Sequence, residues 1–211
     1  MTDLLYGWDS ASQRFRDLST GRFISERSVR DFVDNIADAA SQQLGDLAAR
    51  YRTGQITMTV WQAESRAVIK SSQIASALAA YGGRGQMTPA RWGVVGQQIR
   101  TQYAYLTRFA DDVLSGRQRL NGRMDARARM YGQASRTLYE NIRRRESAAS
   151  GQQFERNIRH AVESCGQCVN QSSLGWQPIG TLVPVGQRSC RSSCRCTLAY
   201  SRTMVMDSEA A

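Results

Sequence analysis

Cysteine is absent from the first 164 residues of this 211-residue chain, and all five cysteines lie between residues 165 and 196. Histidine occurs once, at His160, and lysine once, at Lys70. No run approaches the roughly 18 to 20 apolar residues that cross a bilayer. The first residues also lack the basic end and apolar run of a secretory signal. We therefore expect no membrane contact and a protein made and kept in a reducing cytoplasm.

Sequence patterns of known catalytic sites are also missing. There is no phosphate-cradling glycine loop, no nucleophile elbow and no convincing pair of carboxylates. The Gly82-Gly83 pair follows a helical pattern and precedes Thr88, which fits a helix stop rather than a nucleotide site. We expect a protein without catalytic activity.

Arginine supplies almost all of the positive charge. The chain has 27 arginines and one lysine against 18 acidic residues, for a net charge of +10, and eleven arginines against four acids leave +7 between residues 117 and 159. Such a patch attracts phosphate or an acidic protein surface, although a solvated helix face explains it equally well. The arginines predicted to contact a partner or nucleic acid are Arg127, Arg129, Arg136, Arg143, Arg144, Arg145, Arg191 and Arg195.

Four segments carry apolar residues at three- and four-residue steps, which is typical of amphipathic helices. Their bounds are residue 28 to a stop at Gly54, a cap at Thr57 or Thr59 to Gly82, Thr88 to Gly116, and about Asp125 to Ser147. The third has Thr88 as cap and Pro89 at the first helical position. Short glycine-containing turns between such helices predict a helical bundle.

The two ends of the chain differ from the bundle. Residues 1–24 are polar and rich in arginine, which predicts an extended arm, and Phe154, Ile158 and Val162 suggest one more short helix. Beyond Cys165, glycine, serine and proline predict turns and short strands, with CTLAY as a closing strand. The predicted fold is mainly α: an arm (1–24), a helical domain (25–159), a Cys-rich, zinc-ribbon-like module (160–203) and a flexible tail (204–211).

The cysteines follow the spacing C-x2-C, 21 residues, C-x3-C-x-C. Two close thiol groups separated by such a loop allow four thiolates to converge tetrahedrally on Zn²⁺, which would replace the core that so small a segment lacks. The candidate ligands are Cys165, Cys168, Cys190, Cys194, Cys196 and the nearby His160. Cys165 and Cys168 are the firmest pair, and the sequence does not choose among the others.

Three other uses of the thiols are open. A disulfide framework would leave one cysteine unpaired and would need an oxidising compartment. Catalytic thiol chemistry lacks the α/β setting in which a C-x2-C pair opens a helix. An iron–sulfur cluster also uses four thiolates, and spacing does not distinguish it from zinc. Zinc is the predicted metal.

The cysteine segment resembles a known family. The order CGQC, GWQPIG, VPVGQ, CRSSCRCTLAY is similar to the C-terminal module of tailed-phage minor head or head-morphogenesis proteins, in which an arginine-rich helix comes first, as RARMYGQASRTLYENIRRR does here. The resemblance covers mainly residues 123–200. Where the family usually has a His-Pro pair just before C-R-C, this chain has Arg191-Ser192-Ser193, with Cys190 one step back. The metal site survives if Cys190 replaces that histidine and weakens if it does not.

The resemblance implies a structural or assembly protein of a tailed-phage virion. It would dock on capsid, portal or neck proteins, be multimeric in the particle and lie near packaged DNA. The alternative from the residues themselves is a zinc-containing nucleic-acid-binding protein, in which Arg188, Arg191, Arg195 and the arginine patch contact phosphates. No recognition helix follows the cysteines, however, and no aromatic residues interleave with the arginines of the cysteine module.

Overall fold

The computed structural model describes residues 6–9, 11–12, 14–160 and 163–204, and over these it is mainly helical, as predicted. The chain divides into two compact units, which we call the helical unit (Met1–Tyr139) and the cysteine unit (Glu140–Ala211). The long helices are α1 (Glu26–Arg52), α2 (Met58–Tyr81), α3 (Pro89–Leu114) and α4 (Gly122–Ala149). None of the described helices is both long enough and apolar enough to span a bilayer.

The shorter elements lie on either side of these helices. The strands β1 (Tyr6–Asp9), β2 (Arg14–Asp17) and β3 (Phe23–Ile24) precede α1. After α4 come β4 (Phe154–Ile158), α5 (Gly166–Ser173), β5 (Gln177–Pro178) and β6 (Thr197–Ser201). Single 3₁₀ turns occur at Arg84–Gln86 and Arg191–Ser193.

The starts of α2 and α3 confirm the caps predicted from the sequence. Thr57 caps α2 by accepting a hydrogen bond from the Val60 N–H at 3.3 Å, which settles the choice between Thr57 and Thr59. Thr88 caps α3 in the same way, with Pro89 at the first helical position. Helix α2 ends at Gly82, which has the left-handed φ of 85° that glycine adopts without strain.

The first half of helix α2 turns a different face inward from the one that the sequence predicts. The predicted apolar stripe comprises Val60, Ala63, Ala67, Ile74, Leu78 and Tyr81. Leu78 and Tyr81 are buried as predicted, but Val60 is 38% exposed, and its fully buried neighbour Trp61 packs edge-on against Phe109 with ring centroids 5.2 Å apart. The buried face of α2 also carries serines and Gln73, with Gln73 fully buried. The spacing of apolar residues predicts the wrong buried face for a helix whose inner face is partly polar.

The N-terminal segment pairs into a sheet rather than extending as an unpaired arm. Strands β1, β2 and β3 form an antiparallel sheet in that order. The Phe15 ring is buried against Tyr6 and Trp8, at centroid distances of 5.8 and 4.9 Å. The Trp8 N–H donates to the Gly82 carbonyl at 2.9 Å. The aromatic residues therefore anchor this segment on the helical unit itself.

The cysteine unit contains a second antiparallel sheet, in the order β5-β4-β6. The predicted helix at Phe154 and Ile158 is wrong, because these residues form β4, whose register with β6 runs from Phe154↔Ser201 to Ile158↔Thr197. The third residue of that prediction, Val162, lies outside the described residues. The buried side chains of β4 are Glu155 and Asn157. Because the inward-facing residues are polar, the sequence lacks the alternation of apolar and polar residues that predicts a strand.

The closing strand predicted from CTLAY is confirmed by β6, whereas α5 was not foreseen. The segment VNQSSLGWQPIGTLVPVGQ was predicted to form turns and extended pieces, yet its first residues continue α5. An eight-residue helix with two buried side chains shows too short an apolar stripe to be recognised. The predicted flexible tail falls almost entirely outside the described residues.

Candidate metal centre

Three segments of the cysteine unit bring the five sulfurs together. Cys165 caps α5, because its Sγ accepts a hydrogen bond from the Cys168 N–H at 3.4 Å, and Cys168 lies in the first turn of that helix. Cys190 and Cys194 flank the 3₁₀ turn at Arg191–Ser193. Cys196 directly precedes β6. A helix start, a tight turn and a strand start thus converge on one point, which we call the sulfur cluster.

The sulfur atoms fall into two groups of three that share Cys168. Cys165, Cys168 and Cys190 form one group, Cys168, Cys194 and Cys196 form the other, and within each group all Sγ atoms lie within 4.8 Å of one another. The Cys168 Sγ is 3.5 Å from the Cys190 Sγ and 3.7 Å from the Cys194 Sγ. Tetrahedral coordination with Zn–S bonds of about 2.3 Å places sulfurs ~3.8 Å apart. The spacing around Cys168 therefore fits a thiolate-bound metal ion.

All five cysteines are free thiols, which does not support the disulfide alternative. Cys168, Cys194 and Cys196 are buried, whereas Cys165 and Cys190 are partly exposed. Neither group of three includes His160, whose Nε2 lies 2.8 Å from the Thr197 hydroxyl. The structure thus brings the five predicted cysteines together and places the predicted histidine outside their groups.

Hydrogen bonding divides the cluster into sulfurs that ionise easily and sulfurs that do not. A hydrogen bond from Ser189, with a second from the Cys168 N–H, lowers the pKa of Cys165 to about 6. A hydrogen bond with Cys196 lowers the pKa of Cys194 to about 4 and raises that of Cys196. Burial raises the pKa of Cys168 and Cys190. Because the thiolate is the form that binds metals, the cluster offers metal-binding sulfur at neutral pH.

Arg188 is a member of this site that the sequence did not reveal. It was expected to contact phosphate, but it is only 1% exposed, so that expectation is wrong. Its Nη1 lies 3.8 Å from the Cys168 Sγ and 4.0 Å from the Cys194 Sγ, and it donates to the side-chain Oδ1 of Asn157 at 2.7 Å. Its Nε donates to the Val183 carbonyl at 2.9 Å. A buried cation next to two sulfurs offsets the negative charge of thiolates.

Asn157 connects this arginine to the start of α5. Its side-chain oxygen accepts from Arg188, and its side-chain NH₂ donates to the Cys168 carbonyl at 3.2 Å. The Ser172 hydroxyl of α5 donates in turn to the Asn157 carbonyl at 3.2 Å. Outer contacts of this kind hold metal ligands in position. The inward polar face of β4 therefore orients the helix that carries Cys165 and Cys168.

Glu155 fixes the loop on the other side of the site. Its buried carboxylate accepts hydrogen bonds from the N–H groups of Gly180 and Leu182, at 3.1 and 2.9 Å. It also forms a bidentate ion pair with Arg144, whose guanidinium donates to the Leu182 carbonyl as well. Two backbone N–H groups and two guanidinium N–H groups thus donate to this carboxylate, which offsets the cost of burying its charge. The loop between α5 and the second cysteine group is thus tied to β4 by charge.

The predicted arginine patch does not form one outward face. Arg136 and Arg143 were predicted to contact a partner or nucleic acid, but both are buried and not exposed for such a contact. Arg136 pairs with Asp34. Arg127 donates to Asp112 at 2.8 Å and lies over the Phe109 ring. The local excess of arginine therefore serves ion pairs and packing inside the chain as well as its surface.

Five of the predicted contact arginines lie at or near the surface. Arg129, Arg145 and Arg191 are exposed, and Arg127 and Arg195 are half-buried. Arg191 has a left-handed φ of 50°, which is unusual for a residue with a Cβ, and it lies in the tight turn between Cys190 and Cys194. Arg191 and Arg195 are neighbours of the cysteines in sequence, whereas Arg129 and Arg145 belong to α4.

In comparisons with known proteins, no family model, curated protein or solved structure matches this chain. The resemblance of residues 123–200 to phage head proteins accordingly stays a prediction. What the structure itself establishes is a mainly helical chain whose Cys-rich segment gathers five free thiols into a cluster able to hold a metal ion.

Proposed function

We propose that this chain is a non-catalytic structural protein whose cysteine unit is held together by a thiolate-bound zinc ion. We further propose that it acts in the assembly of a tailed-phage particle, as a minor head or head-to-tail protein. The sulfur cluster is the observation that supports the first part, because sulfurs from three separate segments meet at the spacing that a metal ion requires. The resemblance of residues 123–200 supports the second part.

The surroundings of the cluster favour a structural metal over a catalytic one. Structural zinc sites are closed and formed by four protein ligands, whereas catalytic sites keep one position for water or substrate. Here five sulfurs are available, and three of them are buried. No carboxylate belongs to either group of three sulfurs among the described residues. The two groups of three sulfurs share Cys168, and their five members include enough thiols for the four ligands of a closed tetrahedral site.

The position of Cys190 supports the family resemblance at the point where the sequence departs from it. Cys190 belongs to the same group of sulfurs as Cys165 and Cys168. A cysteine that is displaced by one position can therefore take the place of the family's histidine, because the 3₁₀ turn at Arg191–Ser193 accommodates the longer spacing.

The proposed role of the folded chain is to dock on other particle proteins. A small unit fixed by a metal presents a rigid surface, and the exposed side chains of Arg129, Arg145 and Arg191 suit acidic protein surfaces or phosphate. We expect several copies in the assembled particle, in contact with capsid, portal or neck proteins.

The metal is tested by native mass spectrometry of the chain purified under reducing conditions without added metal. We expect a single zinc ion per chain, released on acidification because protons compete for the thiolates. A metal-free chain in which every thiol reacts with a thiol reagent contradicts the proposal. Bound iron and inorganic sulfide in place of zinc would instead favour the iron–sulfur alternative.

The assembly role is tested separately, with particles of the phage that encodes the chain. Purified virions and immature heads are digested and searched for its peptides by mass spectrometry. We expect the chain in both or in immature heads alone. Its absence from both contradicts the virion role and leaves the metal site unaffected.

A further inference from the structure

The cysteine unit contains an open groove along strand β4. The groove has a volume of about 690 Å³ and is lined by residues from β4, β6, α5 and the loop after α5. Its described lining residues are Arg156, Asn157, Ile158, Arg159, His160, Ser172, Trp176 and Ala199. We call it the Trp176 groove. It is large enough for a small organic ligand or a short segment of a polymer, since ligand pockets measure about 300–1,000 Å³.

Strand alternation gives the groove a basic face. Successive side chains of a strand point to opposite faces, so Arg156 lies on the face opposite Glu155, and its cross-strand partner Ala199 lines the groove as well. Glu155, the acidic residue of β4, is on the other face and is paired there with Arg144. Among the lining residues that the structure describes, Arg156 and Arg159 are basic and none is acidic. The groove attracts anions.

An indole side chain forms part of the same wall. Trp176 follows α5, twenty residues after Arg156 in the sequence, and folding places both along one groove. Trp176 is only half-buried. The sequence shows no aromatic residue interleaved with the arginines of the cysteine module. Trp176 and Arg156 come close only in the folded chain. Cationic groups together with an accessible aromatic ring are the two elements of non-specific single-strand recognition.

The geometry points to the Trp176 groove as a binding site for single-stranded nucleic acid. A base stacks on the Trp176 indole, and flanking phosphates are bound by Arg156 and Arg159. A guanidinium carries five N–H donors, so an interaction with a protein group leaves donors for phosphate. A base inside a duplex is stacked on both faces and cannot lie on an indole within a groove, so unpaired strands are preferred over duplex.

This site goes beyond the proposed assembly role and does not rest on it. It uses neither the sulfur cluster nor the exposed arginines of α4. A chain missing from virions can still bind single strands, and a virion protein can lack this binding. The two proposals therefore fail separately.

The test is titration of a fluorescent oligothymidine of about 12 nucleotides, within the usual site sizes, with the metal-replete full chain. We expect saturable binding that weakens as salt rises from about 50 to 200 mM, and weaker binding of the same strand paired with its complement. Trp176→Ala should raise the dissociation constant about tenfold, whereas Trp176→Phe, which keeps a stacking ring, should stay close to the unaltered chain.

The two parts of the site leave different signatures in the salt dependence. Arg156→Gln removes a phosphate contact and should reduce the slope of log affinity against log salt by about 0.7. Trp176→Ala should leave that slope unchanged, because stacking releases no counterions. The matched control is Arg202→Gln, which removes one positive charge from an exposed residue of the cysteine unit outside the groove lining and should change neither affinity nor slope.

Three results overturn the proposal. One is no binding of the oligothymidine at low salt, and the second is equal binding of single strand and duplex. The third is an equal loss of affinity in Arg156→Gln and Arg202→Gln, since this would show that net charge alone attracts the strand. Metal content and circular dichroism of each variant establish that it is folded, and Trp176→Phe keeps the stacking test valid if Trp176→Ala does not fold.

Discussion

The helical unit and the cysteine unit are stabilised by different interactions. The helical unit buries a large contiguous apolar cluster around Trp61, Phe109 and Leu106, and it also buries Arg136 in an ion pair with Asp34. The cysteine unit buries only three aliphatic side chains among its sulfurs, together with the charged side chains of Arg188 and Glu155. A small unit removes too little apolar surface from water to balance chain entropy, and we propose that metal coordination and buried charge compensate for this. The periodic spacing of apolar residues therefore predicts the fold of the helical unit, whereas the spacing of the cysteines is the main signal for the cysteine unit.

Cys168→Ser should have the largest effect, because Cys168 belongs to both groups of sulfurs. Structural zinc binding is worth about 10–16 kcal/mol, and in small modules this is folding free energy. We expect the variant to lose its metal and the amide protection of β4, α5 and β6, while α1, α2 and α3 stay protected. Native mass spectrometry and hydrogen exchange measure the two outcomes.

The matched control is Val169→Ser, which introduces the same side chain one position later in α5. Val169 is exposed, so this variant should keep both metal and protection. If Cys168→Ser keeps its amide protection too, packing alone holds the cysteine unit together and the two units do not differ in the way described above.

Trp61→Ala should produce the opposite pattern. Truncating a fully buried aromatic side chain costs about 3–5 kcal/mol, because its contacts with the surrounding core are lost and a cavity remains. We expect a lower denaturation midpoint for the helical unit and unchanged metal content. Trp92→Ala, at a partly exposed position of α3, should change the free energy of unfolding much less. Equal losses from the two variants would show that the Trp61 cluster is not the core of this unit.

Arg188→Met tests the charge at the metal site with a smaller expected effect. Methionine keeps much of the aliphatic stem but removes the cation near Cys168 and Cys194 and the hydrogen bond to Asn157. Changes to such outer contacts weaken metal binding by about 10–100-fold. Competition with a chelator of known zinc affinity measures this loss. Arg188→Lys should recover part of the affinity, because it restores the charge.

Arg202→Met is the control for this change, since it removes an exposed arginine from the same unit. Its zinc affinity should match that of the unaltered chain. If Arg188→Met binds zinc as tightly as the control does, the guanidinium packs beside the sulfurs without compensating their charge.

Much of the helical unit is predictable because local signals agree with tertiary packing there. Thr88, Pro89 and Gly82 mark helix ends through backbone chemistry that needs no distant partner. The burial of Trp61 in place of Val60 is not predictable in this way, because the inner face of α2 includes polar residues. The same reason explains β4, whose buried Glu155 and Asn157 are satisfied by groups far away in the sequence.

The cysteine spacing predicts that the sulfurs meet, but it does not predict what surrounds them. Nothing local distinguishes the buried Arg188 from the exposed Arg191 three residues later. The contacts of Arg188 include Asn157, which lies about thirty residues earlier, on β4. Arginine counts likewise treat Arg136 and Arg129 alike, although Arg136 is buried in an ion pair with Asp34 and Arg129 is exposed.

The smallest expected effect concerns helix caps and gives the finest test of how the two units differ. The Thr88 hydroxyl accepts the Arg91 N–H in the helical unit, and the Cys165 sulfur accepts the Cys168 N–H in the cysteine unit. Thr88→Ala should lower the free energy of unfolding by about 1 kcal/mol, and Thr88→Ser should lower it less because the cap oxygen remains. Neither should alter metal content, whereas Cys165→Ala should lower zinc affinity, since we propose that the Cys165 sulfur is a metal ligand as well as a cap. Denaturation and chelator competition on the three variants separate a cap that only ends a helix from one that also binds metal.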